Sequence, residues 1–156
     1  MAGSDWADVW LQIGSVRLTR KHESTKESDA GRPMHHEFEP LSGAVIGAAI
    51  EVHRVLGPGF LEVTYMNALK VALTHRHLRF EAERPINVIF EGVEVGVGRM
   101  DLLVEDALVV ELKAVETLHS THFAQLRAYL KGSGNRVGLL LNFNAPTLVV
   151  RRVVFG

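Results

Sequence analysis

The sequence predicts an α/β (α+β) fold, one central mixed sheet flanked by helices, and three observations carry that expectation. Two segments of helical period come first, short apolar runs of strand length follow, and a third helix and two more strands close the chain. The run Arg136-Val-Gly-Leu-Leu-Leu-Asn-Phe143 is nearly unbroken in its apolar character and follows a helix, which is the pattern of a buried central strand reached by a right-handed crossover. Finally, the stretch from Asp101 to Lys113 reads as two strands around one tight turn, yet sets two carboxylates and a lysine among residues that belong in a core.

Composition narrows the possibilities. A chain of 156 residues with 47% hydrophobic content has room for one domain and one core, so a second catalytic domain does not fit. The formal charge of -1 denies it the global basic footprint of a protein that holds nucleic acid by charge alone, so any such contact must be local. No cysteine is present, which leaves His, Asp and Glu as metal ligands and favours a hard, oxygen-preferring ion over structural zinc. An apolar run of about 18 residues is absent and the N-terminus has no secretory pattern, so the expectation is a cytoplasmic protein with no membrane contact.

Residues 1–40 differ from the rest. Lys21 to Pro33 is polar, rich in turn formers and without hydrophobic period, and the expectation for 1–40 is a disordered N-terminal extension. Within it Trp6, Val9, Trp10 and Ile13 recur at helical spacing, the pattern of a partner-docking helix. The preferred reading is that Met34 starts the product and the upstream residues extend the frame. The domain then spans 41–156.

From Leu41 a helix is expected, with Ser42 as its cap and Val45, Ile46, Ala49, Ile50, Val52 and Leu56 on its apolar face, until Gly57-Pro58-Gly59 ends it. A second helix runs from Phe60 to about His77, with Leu61, Tyr65, Leu69, Ala72 and Leu73 inward and Glu62 in the first turn, where an acid already complements the helix dipole. Leu78–Glu83 and Ile86–Phe90 read as two strands separated by Pro85, and Glu91-Gly92 as a turn. A third helix starts near Ser120, turns Phe123, Leu126, Tyr129 and Leu130 inward and stops at Gly132 and Gly134; Gln125 and Tyr129, four apart, lie one above the other. Leu148–Phe155 is the last strand.

Asp101 and Glu111 are equidistant from Asp106. A hairpin centred on that residue sets them opposite each other on one face, and the two-residue period puts Lys113 on the same face. Opposed like charges repel, so this register needs a cation between them or a proton on one of them, and a divalent metal is the simplest cation. The competing reading makes Asp101 a surface residue and Glu111 and Lys113 the solvated face of an edge strand. A two-residue loop would also place the carboxylates on opposite faces.

Taken in order, Glu62 on a helix, Asp101 on a strand, Glu111 and Lys113 on the next strand, and Gln125 with Tyr129 on the following helix resemble the PD-(D/E)xK nuclease superfamily, whose domain is restriction-endonuclease-like. Gly59-Phe-Leu-Glu62-Val-Thr-Tyr65 fits, position by position, the small prokaryotic group called GxxExxY proteins. Val52 through Gly59, Glu111-Leu-Lys113-Ala-Val-Glu and Leu140-Leu-Asn142-Phe are similar to the rest of that group's pattern. Met100 stands where the motif's name has proline, but the metal-binding group is the aspartate itself.

The resemblance implies metal-dependent hydrolysis of phosphodiester bonds in nucleic acid, with DNA as the expected substrate and Mg²⁺ or Mn²⁺ as cofactor. Asp101, Glu111, Glu62 and Lys113 would be catalytic. Asp101, Glu111, the main-chain carbonyl of Leu112, Glu62 and His53 would serve the metal, and Gln125, Tyr129 and Tyr65 the substrate. The alternative is a non-catalytic module on the same fold that binds nucleic acid or protein, with Arg127, Lys131, Arg136, Arg151 and Arg152 as a local positive rim.

Overall fold

The period that begins near Leu41 forms helix α1 (Glu39–Leu56) in the computed structural model, which describes residues 16–19, as backbone, and 39–156. The helix starts ahead of Ser42, because Pro40 is well suited to a first turn, where its missing N–H has no partner to lose. Ser42 is therefore not the cap. It lies inside the helix, buried, with its hydroxyl unpartnered among the described residues. Gly57 and Gly59 take positive φ (67° and 110°), the Gly57 N–H returns to the His53 carbonyl at 2.8 Å, and the chain reverses into α2 (Glu62–His75). Phe60 and Leu61 precede that helix instead of opening it, and Leu61 is exposed, not inward.

The described strands form one sheet in sequence order: β1 (Val16–Thr19), β2 (Phe80–Phe90), β3 (Val93–Val104), β4 (Leu108–Lys113), β5 (Val137–Asn142) and β6 (Val149–Val154). Neighbours pair antiparallel except β4 and β5, which are parallel and joined through α3 (Ser120–Ser133), so the sheet is mixed as expected. Within 1–38 the described residues are Val16–Thr19. This Val-Arg-Leu-Thr segment alternates apolar and polar residues and pairs with Asn87–Phe90, the otherwise open edge of β2. The remainder of 1–38, including the Trp6–Ile13 segment, lies outside the described residues.

β2 is one strand, not two. Pro85 is tolerated inside it because, among the described residues, β1 ends opposite Asn87 and β3 alone pairs with β2 at that level. Besides a register shift between Val88 and Ile89, the strand is irregular at Glu83, with φ 53°, which drops out of the ladder between Ala82↔Leu102 and Arg84↔Met100. Its place is opposite Asp101, and both strands change faces there. Phe80, Ala82, Leu102 and Val104 join the core beneath α1 and α2, whereas Ile86 and Met100 join the core beneath α3.

Each face of the sheet thus buries its own core, and α3 sits close because two strand residues lack side chains. A Cβ on Gly138 would stand 2.7 Å from a Leu126 methyl and 3.1 Å from its branch carbon, and one on Gly98 would stand 2.9 Å from the Tyr129 ring. No helix among the described residues is long and apolar enough to cross a membrane. Gly138→Ala should cost about 1–3 kcal/mol through overpacking against Leu126. Gly96→Ala, with nothing within 4 Å of the added carbon, should leave the denaturant midpoint unchanged or slightly raised.

Candidate active site

The β3–β4 turn places Glu105 and Asp106 at positive φ (50° and 56°), with the Ala107 N–H bonded to the Val104 carbonyl. The register Val104↔Leu108, Leu103↔Val109, Leu102↔Val110 centres the hairpin on Asp106, and its next step sets Asp101 opposite Glu111. At that step side chains replace the ladder. The Leu112 N–H donates to Asp101 Oδ2 at 2.8 Å, and the Asp101 N–H donates to Glu111 Oε1 at 3.2 Å. Each carboxylate holds the other residue's strand.

The edge-strand reading fails here, because β4 lies between β3 and β5 and Glu111 is only 1% exposed. Lys113 Nζ stands 3.9 Å from Glu111 Oε2, with 14% of the lysine side chain exposed. That one ammonium does not balance the carboxylates around it. Burial pushes the Glu111 carboxyl up to about 8, the Asp101 charge pushes the same way, and the Asp101 N–H and Lys113 only partly offset them. Asp101 is also raised, first by burial and further by Glu83, against the Leu112 N–H and Lys113. Glu62, in the first turn of α2, is raised by burial and by Asp101, and is steadied by Lys113 and the Ala114 backbone N–H. α2 therefore delivers its acid to the end of β4.

An extended strand residue points its N–H and C=O to the same side, so the Leu112 carbonyl faces the gap in which its N–H meets Asp101. Two carboxylates and a carbonyl, all oxygen donors with excess negative charge, suit a hard divalent cation that keeps several waters. Among the described residues no three His, Asp or Glu side chains are gathered tightly enough to hold a metal unaided, so a cation bound here would need water in its shell.

Of the other expected site residues, His53 is engaged by the segment after β5. Its Nε2 is paired with the Ala145 carbonyl at 2.9 Å and its ring tilts against Phe143, because the last turn of α1 packs on the segment after β5. Tyr65 is corrected as a substrate contact: it is fully buried, stacks on Phe143 at 4.6 Å, donates to the Gly57 carbonyl at 2.6 Å and accepts the Phe60 N–H at 3.1 Å. It fastens the glycine turn that aims α2. Gln125 Nε2 donates to the Tyr129 hydroxyl at 3.1 Å near the surface of α3.

Three residues of this region went unread as site residues in the sequence. Asn142, buried, accepts the Val115 N–H at 3.0 Å and donates to the Val115 carbonyl at 2.8 Å, tethering the loop after Lys113; its place in the Leu-Leu-Asn-Phe pattern was the available signal. Glu83 bears on Asp101 only through pairing across strands, which leaves no local mark. His122, in the first turn of α3, feels the charge of Lys113 from nine positions away in sequence.

A family model described as the PD-(D/E)XK nuclease superfamily matches residues 39–153. No curated protein and no solved structure matches the chain.

Two outcomes are expected from this geometry. Because the folded, metal-free protein binds the Glu111 proton more tightly than the unfolded chain does, its stability should fall as pH rises from the ordinary value of 4.5 through about 8. Glu111→Gln should flatten that slope and equal or exceed the parent above it, read by thermal melts in chelator, while metal binding weakens by roughly tenfold or more. A uniform loss of several kcal/mol at every pH would mark a structural residue instead. Tyr65→Phe should cost about 1–3 kcal/mol through loss of the hydroxyl's two part-buried hydrogen bonds, to the Gly57 carbonyl and from the Phe60 N–H, seen as a lower denaturation midpoint with unchanged Mn²⁺ affinity.

Proposed function

The chain belongs to the PD-(D/E)XK nuclease superfamily, and from that premise we propose that it is a metal-dependent nuclease of the GxxExxY type, hydrolysing phosphodiester bonds of DNA in the cytoplasm with Mg²⁺ or Mn²⁺. The observation that carries this reading is the Asp101–Glu111 pair, held face to face in the centre of the sheet by each other's backbone with a single lysine beside it. A domain with only a structural task has little reason to keep opposed carboxylates that cost stability without a cation.

Asp101, Glu111 and the Leu112 carbonyl would hold the cation, and when bound it would supply Lewis acidity toward the scissile phosphate and a water of lowered pKa. Lys113, partly buried and aimed at Glu111, orients the attacking water and neutralises charge that develops on the phosphate. Glu62 accepts hydrogen bonds from water at the end of β4, where Lys113 and the Ala114 N–H keep it in place. Gln125 and Tyr129, joined by their own hydrogen bond, meet the substrate backbone.

Lys113→Ala should lower metal-dependent cleavage by about 10²- to 10³-fold, the worth of one preorganised charge, while Mn²⁺ affinity by calorimetry stays near the parent's, since an ammonium is no ligand. Asp101→Asn should lose both cleavage and Mn²⁺ binding. A Lys113→Ala protein that cuts labelled DNA as fast as the parent would remove the lysine from the mechanism and assign any activity to another site.

A further inference from the structure

We propose that His122 is a further substrate-binding residue of this site, its Nε2–H donating a hydrogen bond to a phosphate of the nucleic-acid strand beside Lys113. This rests on the nuclease reading for the identity of the ligand and goes beyond it in assigning a residue.

The geometry starts at the beginning of α3. The His119 N–H donates to His122 Nδ1 at 3.0 Å. A ring nitrogen that accepts a hydrogen bond carries no proton, so the neutral imidazole bears its hydrogen on Nε2, the nitrogen turned away from the helix end. The His122 N–H in turn meets the His119 carbonyl at 3.0 Å and closes the first turn, so the ring is held from both its backbone and its Nδ1 side. His119, whose ring lies 5.9 Å away, is exposed, whereas His122 is half-buried.

The position of that turn relative to the carboxylates is also held. Asn142 makes two hydrogen bonds to Val115, and the Phe143 N–H donates to the Lys113 carbonyl at 2.9 Å, so the chain leaving β4 is tied to β5 on both sides of Ala114. His122 lies within electrostatic reach of Lys113 in consequence. Along α3, His122, Gln125 and Tyr129 follow at i, i+3 and i+7 and share one face. Gly98 admits the Tyr129 ring against β3, and the stripe thus runs from the catalytic lysine to the strand that carries Asp101. A strand laid along it would meet an ammonium, an imidazole N–H, an amide and a phenol in succession.

Burial, Lys113 and His119 all hold His122 below the ordinary histidine value. At neutral pH it is therefore an uncharged donor, which can approach a phosphate without repelling a divalent cation. The competing role is a helix cap that only accepts the His119 N–H, and the two roles separate by donor capacity. Glutamine in this third helical position keeps both an acceptor for the cap and a donor for phosphate. Leucine keeps neither.

The test uses the full chain labelled with ¹⁵N, with Ca²⁺ in place of Mg²⁺ and a short oligothymidylate as probe. The expected result is a shift of the His122 Nε2–H resonance on titration, with Nδ1 remaining an acceptor. His122→Leu should bind the oligonucleotide about tenfold more weakly, in line with loss of one hydrogen bond to a charged group, and His122→Gln should stay close to the parent, with Mn²⁺ affinity unchanged in both. A silent Nε2 resonance, or His122→Leu binding as tightly as the parent, overturns the inference. Cleavage by the parent in Mg²⁺ and Mn²⁺ is measured beside it. A responsive His122 in a protein that never cuts DNA would sink the nuclease reading alone, and a cutting enzyme with a silent His122 would sink this inference alone.

Discussion

The hydrogen bonds that cross between Asp101 and the Glu111–Leu112 segment are the constraint on which the rest of the structure depends. They occupy the point where the β3–β4 ladder ends, and they are made by carboxylates instead of by main chain. A carboxylate in the middle of a sheet is costly to bury, and satisfying a strand N–H recovers part of that cost. The remainder appears as raised carboxyl pKa values, with burial as the first cause for both Asp101 and Glu111. Such a pair is an incomplete electrostatic structure, and a divalent cation with a phosphate ligand is the completion that its oxygen donors fit.

Both helices that bear on the site begin at the C-terminal end of β4. Glu62 comes from the first turn of α2 on one face of the sheet, and His122 from the first turn of α3 on the other, and each feels the charge of Lys113. The positive ends of two helix dipoles thus point toward a concentration of carboxylate charge, which moderates their mutual repulsion. For α3 the parallel β4–β5 step makes this possible, because a connection between parallel strands has to start its helix at the C-terminal end of the strand it leaves. Residues such as Tyr65 and Asn142 belong to this scheme as fasteners: one holds the turn ahead of α2, the other the loop ahead of α3.

The face exchange at Glu83 and Asp101 accounts for the two separate cores. A strand pair of regular pleat would keep the even-numbered residues of β3 on one side throughout, yet Leu102 lies under α1 and α2 and Met100 under α3. Glu83 takes a positive φ that a residue with a side chain adopts at a cost, and it does so opposite the aspartate. The distal part of the β2–β3 hairpin is thereby turned toward α3, where Gly98 receives Tyr129. Strain at Glu83 in β2 thus sits opposite Asp101 in β3.

The sequence by itself determined the periodic elements and the hairpin register, since apolar spacing and the symmetry of Asp101 and Glu111 about Asp106 are local properties that burial on a central strand only had to respect. It also determined the order of Glu62, Asp101, Glu111 and Lys113, by which the family is recognised. What it could not carry were decisions made by partners far along the chain: that Pro85 lies within a continuous edge strand, that Ser42 is overtaken by a helix starting at Glu39, and that Val16–Thr19 pairs with β2. The tertiary structure likewise decided that Tyr65 is enclosed by Phe143 and the glycine turn, that His53 turns to Ala145, and that His122 stands near Lys113. A motif states which chemical groups are available, but whether a group faces solvent, a backbone carbonyl or a metal is set by the packing of elements distant in sequence, and that information has no local signature.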